Sequence, residues 1–196
     1  MMNQPPNSSD HSSDDQNNPP PSPLSLRRQL EMTRFEHARE VAESLADHRA
    51  LLTPVELARI NNILTGKKPA ETDLAWRKGS ATLTLPSGRI ETFQLFRDPL
   101  VTAREKLHHA TEVAEAGNAI EAAVGIYVDL VLSHVFEDAN RRTAVLAAHY
   151  FFRRYNIPLT GLALHELGLP DLREEGQIQS LRDTIRQMAK FAKRQK

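Results

Sequence analysis

The sequence has no cysteine, no net charge and no long apolar segment. The lack of cysteine excludes disulfides, thiolate metal sites and cysteine nucleophiles, and it favours a cytoplasmic location. The 25 basic and 25 acidic residues cancel, so no overall field favours binding to nucleic acid or to an anionic membrane, and an anion site must be local. No run of about 18 apolar residues and no signal-peptide pattern occurs, so neither a membrane span nor export is predicted.

The length and apolar content predict one globular domain. With 196 residues, of which 40% are hydrophobic, the chain has enough apolar surface for one ordinary core. Residues 1–25 differ from the rest, because they hold half of the 12 prolines and no Lys or Arg. Such a composition cannot offset its ordering entropy by burial. We therefore predict a disordered tail over 1–25 and a folded domain over 26–196.

Apolar periodicity predicts an all-α fold with one small β-hairpin. Helical spacing of apolar residues predicts helices over 26–50, 54–65, 100–116, 119–134, 143–152 and 177–193. The helices at 119–134 and 143–152 are apolar on nearly every side and should lie in the centre of the fold. Apolar residues alternate with Thr82 and Thr84 over 81–95, on either side of a turn at 86–88, which predicts a hairpin. A lone hairpin is marginally stable, so it should pack against the helices.

The most informative stretch is HVFEDANRR at 134–142, which joins the two apolar helices. His134 titrates near neutrality and can take a proton from a hydroxyl, so it is the candidate general base. Asp138 can hold Mg²⁺ through one carboxylate, with the remaining ligands drawn from phosphates and water. These residue types in nine positions indicate chemistry on a phosphate ester.

The second half of this stretch suits a phosphate site. Asn140, Arg141 and Arg142 supply donors where the second helix begins, and a helix N-terminus favours anions. Ala139 is small enough to let the backbone approach a ligand, and Phe136 can bury its ring and fix the loop to the core. A loop with ordinary helix caps is the structural alternative, and the order and spacing of the residues argue against it.

The stretch resembles the signature of the Fic and Doc proteins, the Fido superfamily: His-x-Phe-x-(Asp/Glu)-(Ala/Gly)-Asn-(Gly/Lys)-Arg. HVFEDANRR matches every fixed position except Arg141, and the likeness is strongest over 83–158. The resemblance implies a Fido-type helical bundle with a hairpin, the flap, beside the active-site loop. It also implies that the flap, here Thr82, Leu83, Thr84 and Leu85, holds a target segment by strand addition.

By the same resemblance, the protein transfers a phosphate-containing group from ATP or another nucleoside triphosphate to a Ser, Thr or Tyr hydroxyl of a target protein. His134 would deprotonate that hydroxyl, Asp138 would hold Mg²⁺, and Asn140 with Arg142 would bind the nucleotide phosphates. Adenylyl-transferring Fic proteins usually have Gly at the position of Arg141, whereas Doc-type members have Lys and transfer the γ-phosphate. Arg is nearer to Lys, which favours Doc-like phosphorylation by a toxin.

Two alternatives stay open: a Fic-type adenylyltransferase that uses ATP, and a non-catalytic Fido-fold module that binds a partner protein. Val145 stands where Fic enzymes often carry a further Arg, and no full match to their inhibitory segment is present, since Ala116 follows Thr111 and Glu115. Regulation by a separate antitoxin is therefore a further hypothesis. The target, the nucleotide base and the oligomeric state are not specified by the sequence.

Two other groups of residues were considered as sites. His108 and His109 should face different sides of their helix, which argues against joint metal binding. The predicted helix over 177–193 has a basic end, formed by Lys190, Lys193 and Arg194. Such an end complements the helix dipole, so no nucleic-acid partner is expected from it.

Overall fold

The computed structural model describes residues 23–84, 88, 90–167 and 172–194. Within them the helices are α1 (Pro23–Asp47), α2 (Pro54–Thr65), α3 (Pro99–Glu115), α4 (Ala119–Ser133), α5 (Asn140–Arg154), α6 (Leu162–Glu166) and α7 (Glu175–Arg194), and the strands are β1 (Ala81–Thr84) and β2 (Ile90–Phe93). A short 3-10 turn, Thr72–Leu74, was not foreseen. The predicted all-α fold with one small hairpin is confirmed.

The helix boundaries are sharpest where the sequence carries capping residues. The Thr53 hydroxyl accepts a hydrogen bond from the Glu56 N–H, Pro54 opens α2, and Gly66 ends it with a φ of 74°. The Asp98 side chain caps α3 in the same way by accepting from the Leu100 N–H at 2.8 Å. The predicted limits of α2 are therefore confirmed, and those of α3 agree within one residue.

Helices α4 and α5 form the centre of the bundle. Helix α5 is buried from Thr143 to Phe152, and it packs against α4, α1 and α2. Helix α1 approaches α5 through Ala38, Ala42 and Ala46, whose small side chains lie on one buried face. The loop between α4 and α5, which contains most of the HVFEDANRR stretch, is thus supported by the most buried part of the molecule.

The limits of α1 and the start of α5 differ from the prediction by three residues each. Helix α5 begins at Asn140, not at 143, so the end of the motif is already helical. Helix α1 begins at Pro23 and ends at Asp47, three residues before the predicted limits at each end. The tail predicted over 1–25 otherwise lies outside the described residues. None of the described helices combines the length and apolarity that a membrane crossing requires.

The hairpin has the predicted position. β1 and β2 are antiparallel, with Ala81 opposite Phe93 and Thr84 opposite Ile90. The second strand ends at Phe93, two residues earlier than expected. This hairpin, residues 81–84 and 90–93, is called the flap below.

Candidate active site

The loop between α4 and α5 is bounded by two residues in the left-handed conformation. His134 caps α4 with a φ of 50°, and its N–H donates to the Leu130 carbonyl at 3.2 Å. Ala139 precedes α5 with a φ of 57°. Such conformations cost on the order of 1 kcal/mol or more for residues with a Cβ, and they persist where surrounding contacts impose them. The loop therefore has a defined shape that its neighbours must maintain.

Asn140 supplies the first of these contacts. Its amide oxygen accepts from the Phe136 N–H at 2.9 Å, and its Nδ2 donates to the Phe136 carbonyl at 2.9 Å. The side chain is buried, so these bonds satisfy most of its polar atoms. The geometry gives Asn140 a loop-shaping role that the sequence did not suggest. The phosphate contact predicted for it stays a prediction.

Asn61 of α2 supplies the second contact, and sequence reasoning missed it. Its Nδ2 donates to the Asp138 carbonyl at 2.8 Å and to the Thr143 hydroxyl at 3.0 Å. That hydroxyl in turn donates to the Ala139 carbonyl at 3.0 Å. Asn61 follows Leu57 by four residues, so it lies on the buried stripe of α2. A polar residue on that stripe was the signal that could have identified it.

A third set of contacts comes from the segment that precedes the flap. The Arg77 N–H donates to the Val135 carbonyl at 3.0 Å, and the Glu137 N–H donates to the Ala75 carbonyl at 3.3 Å. Trp76 pairs with Phe136 between these bonds, and the two rings stack with centroids 4.9 Å apart. Phe136 is buried and ties the loop to this segment.

Arg77 also links the loop to the flap. Its side chain is 4% exposed, and the guanidinium donates to the carbonyls of Phe93 and Gln94. Burial lowers the pKa of Arg77, while the charge of Glu137 acts in the opposite direction. Sequence reasoning did not identify this residue, because a single Arg beside Trp76 belongs to no motif or period.

His134 lies under the flap. Its ring stacks on Phe93 with centroids 4.2 Å apart and an angle of 17° between the planes. Nδ1 is buried and lacks a hydrogen bond of ordinary geometry to the described residues, whereas Nε2 keeps access to solvent. Burial lowers the pKa of His134, as does the charge of Arg77, while the Val131 carbonyl and the Asp138 carboxylate oppose this shift. The ring is therefore neutral near pH 7 and can accept a proton at Nε2.

Asp138 and Arg142 are the charged motif residues available for a ligand. Asp138 is exposed, and one of its carboxylate oxygens accepts from the Ala139 N–H. Arg142 is half-buried in the first turn of α5, and its side chain makes no hydrogen bond or ion pair with the part of the chain that the structure describes. The first N–H groups of α5 have no helical partner and favour negative charge.

Asp138 is the motif residue whose carboxylate could bind a metal ion. No group of three or more His, Asp or Glu able to hold a metal occurs among the described residues. One carboxylate suits Mg²⁺ that brings phosphate and water ligands with it. Asp138 therefore fits the predicted metal-binding role in that form.

Arg141 contacts the segment that contains α6. Its guanidinium donates to the His165 carbonyl at 3.2 Å, near the end of α6. Val145, the position where Fic enzymes often carry Arg, is buried beneath Gly161. A Cβ at Gly161 would lie 2.1 Å from the Val145 carbonyl oxygen, so the backbones approach closely there. The phosphate contact predicted for Arg141 stays a prediction.

The flap residues predicted to hold a target fall on β1. Thr82 is exposed, Leu83 and Thr84 follow it in the strand, and Leu85 lies outside the described residues. The flap has two strands, so the far edge of β1 has no further strand among the described residues.

A groove of about 640 Å³ follows β2 and the segment after it, with Leu132, Ser133 and Val135 also among its lining residues. Phe96 lines this groove and an adjoining one of about 530 Å³, and its side chain is 86% exposed. The groove reaches Phe93, whose ring lies on His134. A polypeptide segment of a target bound in this groove would therefore lie next to His134, the candidate base.

Comparisons with known proteins bear on the fold. No family model matches the chain, and no curated protein matches it. A solved structure, that of a Fic domain containing signaling protein from Bacteroides thetaiotaomicron VPI-5482, is similar to it with a TM-score of 0.63 and 16% identity, over 86% of this chain and 72% of that chain. The Fido-type fold that the motif implied is thereby confirmed.

Proposed function

We propose that this protein transfers a phosphate-containing group from a nucleoside triphosphate, ATP in the simplest case, to a Ser, Thr or Tyr hydroxyl of a target protein. The observation that carries the proposal is His134, a neutral imidazole held at the end of α4 with Nε2 open to solvent. The Fic-domain fold supports the same class of reaction.

In this reaction Nε2 of His134 takes the proton of the target hydroxyl as its oxygen attacks a phosphorus atom. A new P–O bond forms and the bond from phosphorus to its bridging oxygen breaks. The leaving group is the nucleoside diphosphate in phosphoryl transfer and pyrophosphate in nucleotidyl transfer. A positioned base of this kind contributes on the order of 10² to 10⁴ in rate. The left-handed turn at His134 and the Phe93 ring fix the direction of the imidazole.

Arg142 and the first N–H groups of α5 would bind the phosphates, and the small Ala139 leaves their approach unobstructed. Asp138 would hold Mg²⁺ together with phosphate oxygens and water. When bound, the ion would neutralise charge on the phosphates. These roles suit the outward placement of Asp138 and Arg142.

Arg141 bears on which group is transferred. The likeness of Arg to Lys favours transfer of the terminal phosphoryl group, as in Doc, with the protein acting as a toxin that an antitoxin holds inactive. Nucleotidyl transfer is a second candidate, because the His165 carbonyl holds the Arg141 guanidinium near the end of α6. An Arg141 side chain held there would leave room for phosphates at the start of α5, as the Gly of adenylyl-transferring Fic proteins does.

The target would bind at the flap. An extended target segment can pair with the open edge of β1, since an unpaired strand edge accepts backbone hydrogen bonds. The exposed Phe96 ring would bury an apolar side chain of the target in the groove along β2. Both contacts would bring a hydroxyl towards His134.

The test uses purified protein, Mg²⁺, a cell lysate and, in parallel, α-labelled and γ-labelled ATP. His134→Ala removes the proposed base, and His109→Ala is the matched control, since His109 is exposed on α3. We expect labelled protein bands that appear with the wild type and His109→Ala, and that are absent both with His134→Ala and with the lysate alone. Signal from the γ label alone identifies phosphoryl transfer, and signal from the α label identifies nucleotidyl transfer. Equal labelling by His134→Ala, or none by any variant with any nucleoside triphosphate, would favour the non-catalytic binding module.

A further inference from the structure

Side chains from three distant parts of the chain meet at the candidate site. The ring of Phe93 of β2 stacks on that of His134 with centroids 4.2 Å apart, and the guanidinium of Arg173 lies over the Phe93 ring, 6.0 Å from its centroid. Arg173 belongs to the short segment before α7, far from the motif in sequence. No motif or period in the sequence pointed to it.

Arg173 is held in this position by Glu91. Its guanidinium donates to both carboxylate oxygens of Glu91, which lies two residues before Phe93 on β2. Residues two apart share one face of a strand, so Glu91 and Phe93 both face the body of the protein. The Glu91 side chain is only 9% exposed, whereas that of Arg173 is 47% exposed. A buried carboxylate requires a charged or hydrogen-bonding partner, and Arg173 provides both.

The flap needs such attachments, because an isolated two-stranded hairpin is marginally stable. One attachment is Arg77, which donates to backbone carbonyls at the end of β2. Those hydrogen bonds hold the backbone at Phe93, the last residue of β2, and a second attachment lies two residues earlier in the strand. The Glu91–Arg173 ion pair lies there, next to the ring that covers His134.

We propose that Glu91 and Arg173 are positioning residues of the site: their ion pair holds the flap closed, with Phe93 seated on the imidazole of His134. This inference rests on the proposed function, in which His134 is the base. The seated ring fixes the plane of the imidazole and excludes water from one face, while Nε2 stays open. Neutralising either residue breaks this ion pair and weakens the attachment of β2 to the segment before α7, so that β2 moves outward. Phe93 then leaves His134.

The structural test measures the ring contact directly and needs no activity. Protein labelled at histidine is examined by NMR, and the signal absent from His134→Ala identifies the His134 ring protons. Phe93→Leu gives the position of that signal without an aromatic neighbour. We expect Arg173→Gln and Glu91→Gln to shift the His134 signal towards the Phe93→Leu position, and the exchanged pair Glu91→Arg with Arg173→Glu to shift it back. Arg186→Gln is the matched control, since it breaks a comparable ion pair with Glu121 that lies away from the site.

An unmoved His134 signal in both single variants, with an unchanged circular dichroism spectrum, would overturn the proposal. The second readout is the rate of label transfer, which we expect to fall by about tenfold or more in the single variants, because small displacements at a reacting centre have large effects on rate, and to recover in the exchanged pair. The two readouts separate the hypotheses. Absence of transfer in the wild type with the expected NMR shifts would contradict the proposed function alone, whereas transfer in the wild type with no NMR shift would contradict the ion pair's role alone.

Discussion

His134 can act as a base only while its ring is neutral, and its surroundings extend that state to lower pH. Burial and the charge of Arg77 lower its pKa from the usual 6.5, against the opposing effects of the Val131 carbonyl and Asp138. The base is lost as pH falls through this lowered pKa. We therefore expect the acid limb of kcat/KM for transfer to have its midpoint below 6.5. A pH profile measures this, and a midpoint at or above 6.5 would contradict it.

Substitutions at two adjacent asparagines of α2 distinguish an effect on the candidate site from an effect on the stability of the fold. Asn61 donates to the Asp138 carbonyl and the Thr143 hydroxyl, whereas Asn62 donates to the carbonyls of Lys68 and Glu71, away from the loop. Both side chains are buried. Asn61→Ala and Asn62→Ala should each lower the free energy of unfolding by about 1–3 kcal/mol, because each removes two hydrogen bonds that a buried amide donates.

Only Asn61→Ala should also reduce transfer, since it alone releases the loop that carries Asp138. Urea unfolding gives the stability of each variant, and the initial rate of label transfer at a temperature where both are folded gives the effect on the site. Equal rates in the two variants would show that Asn61 does not position the loop.

The contiguous residues of the site could be read from the sequence, and the supporting ones could not. His134, Asp138 and Arg142 lie within one short stretch whose residue types already indicate phosphate chemistry. Arg77 and Arg173 reach the site only because the chain folds back, and an isolated arginine in a sequence is most simply a surface residue. Their contacts with β2 are decided by tertiary structure, which periodicity does not encode.

Among the helices, boundaries were predictable where local capping chemistry sets them. Thr53, Pro54 and Gly66 define α2 from the sequence alone. The start of α5 was placed three residues too late, because Ala139 is an unusual cap in the left-handed conformation. That cap is stabilised by the Thr143 hydroxyl and by Asn61 of another helix. The first turn of α5, which carries the candidate site residues, was therefore the part of the helix whose start the capping rules could not locate.

Helix α5 also depends on the close approach of Gly161. A methyl group at Gly161 would meet the Val145 carbonyl oxygen at 2.1 Å and the His149 Cβ at 2.9 Å, and the Gly161 N–H donates to His149 Nδ1 at 3.2 Å. Gly161→Ala should therefore destabilise the protein by about 1–3 kcal/mol or more, because neither backbone can yield easily. The loss of stability is measured by urea unfolding.

Gly125→Ala is the matched control for this substitution. Gly125 lies inside α4, and a Cβ there would meet nothing within 4 Å. Replacing Gly by Ala in an open helical position should stabilise the protein by about 0.5–1 kcal/mol. A destabilised Gly125→Ala, or a neutral Gly161→Ala, would mean that the packing around α4 and α5 is looser than the structure shows.

In the molecule as a whole, three separate regions meet at one loop. Helix α2 contributes Asn61, the segment before the flap contributes Trp76 and Arg77, and the flap contributes Phe93. The loop itself joins α4 and α5, which form the centre of the bundle. The site is therefore built on the core, and its shape should persist as long as the core is folded.

This coupling can be measured with the only tryptophan in the chain, Trp76. Its ring is largely buried against Phe136 on the functional loop, so its fluorescence reports on the site, while far-ultraviolet circular dichroism reports on the helices. Because Phe136 and the α4–α5 core belong to one hydrophobic cluster, the two signals should give the same urea midpoint and the same m-value. Phe136→Leu, which removes the stacked ring, should lower both midpoints together. A fluorescence transition that precedes the loss of helix would show instead that the site opens while the bundle is still folded.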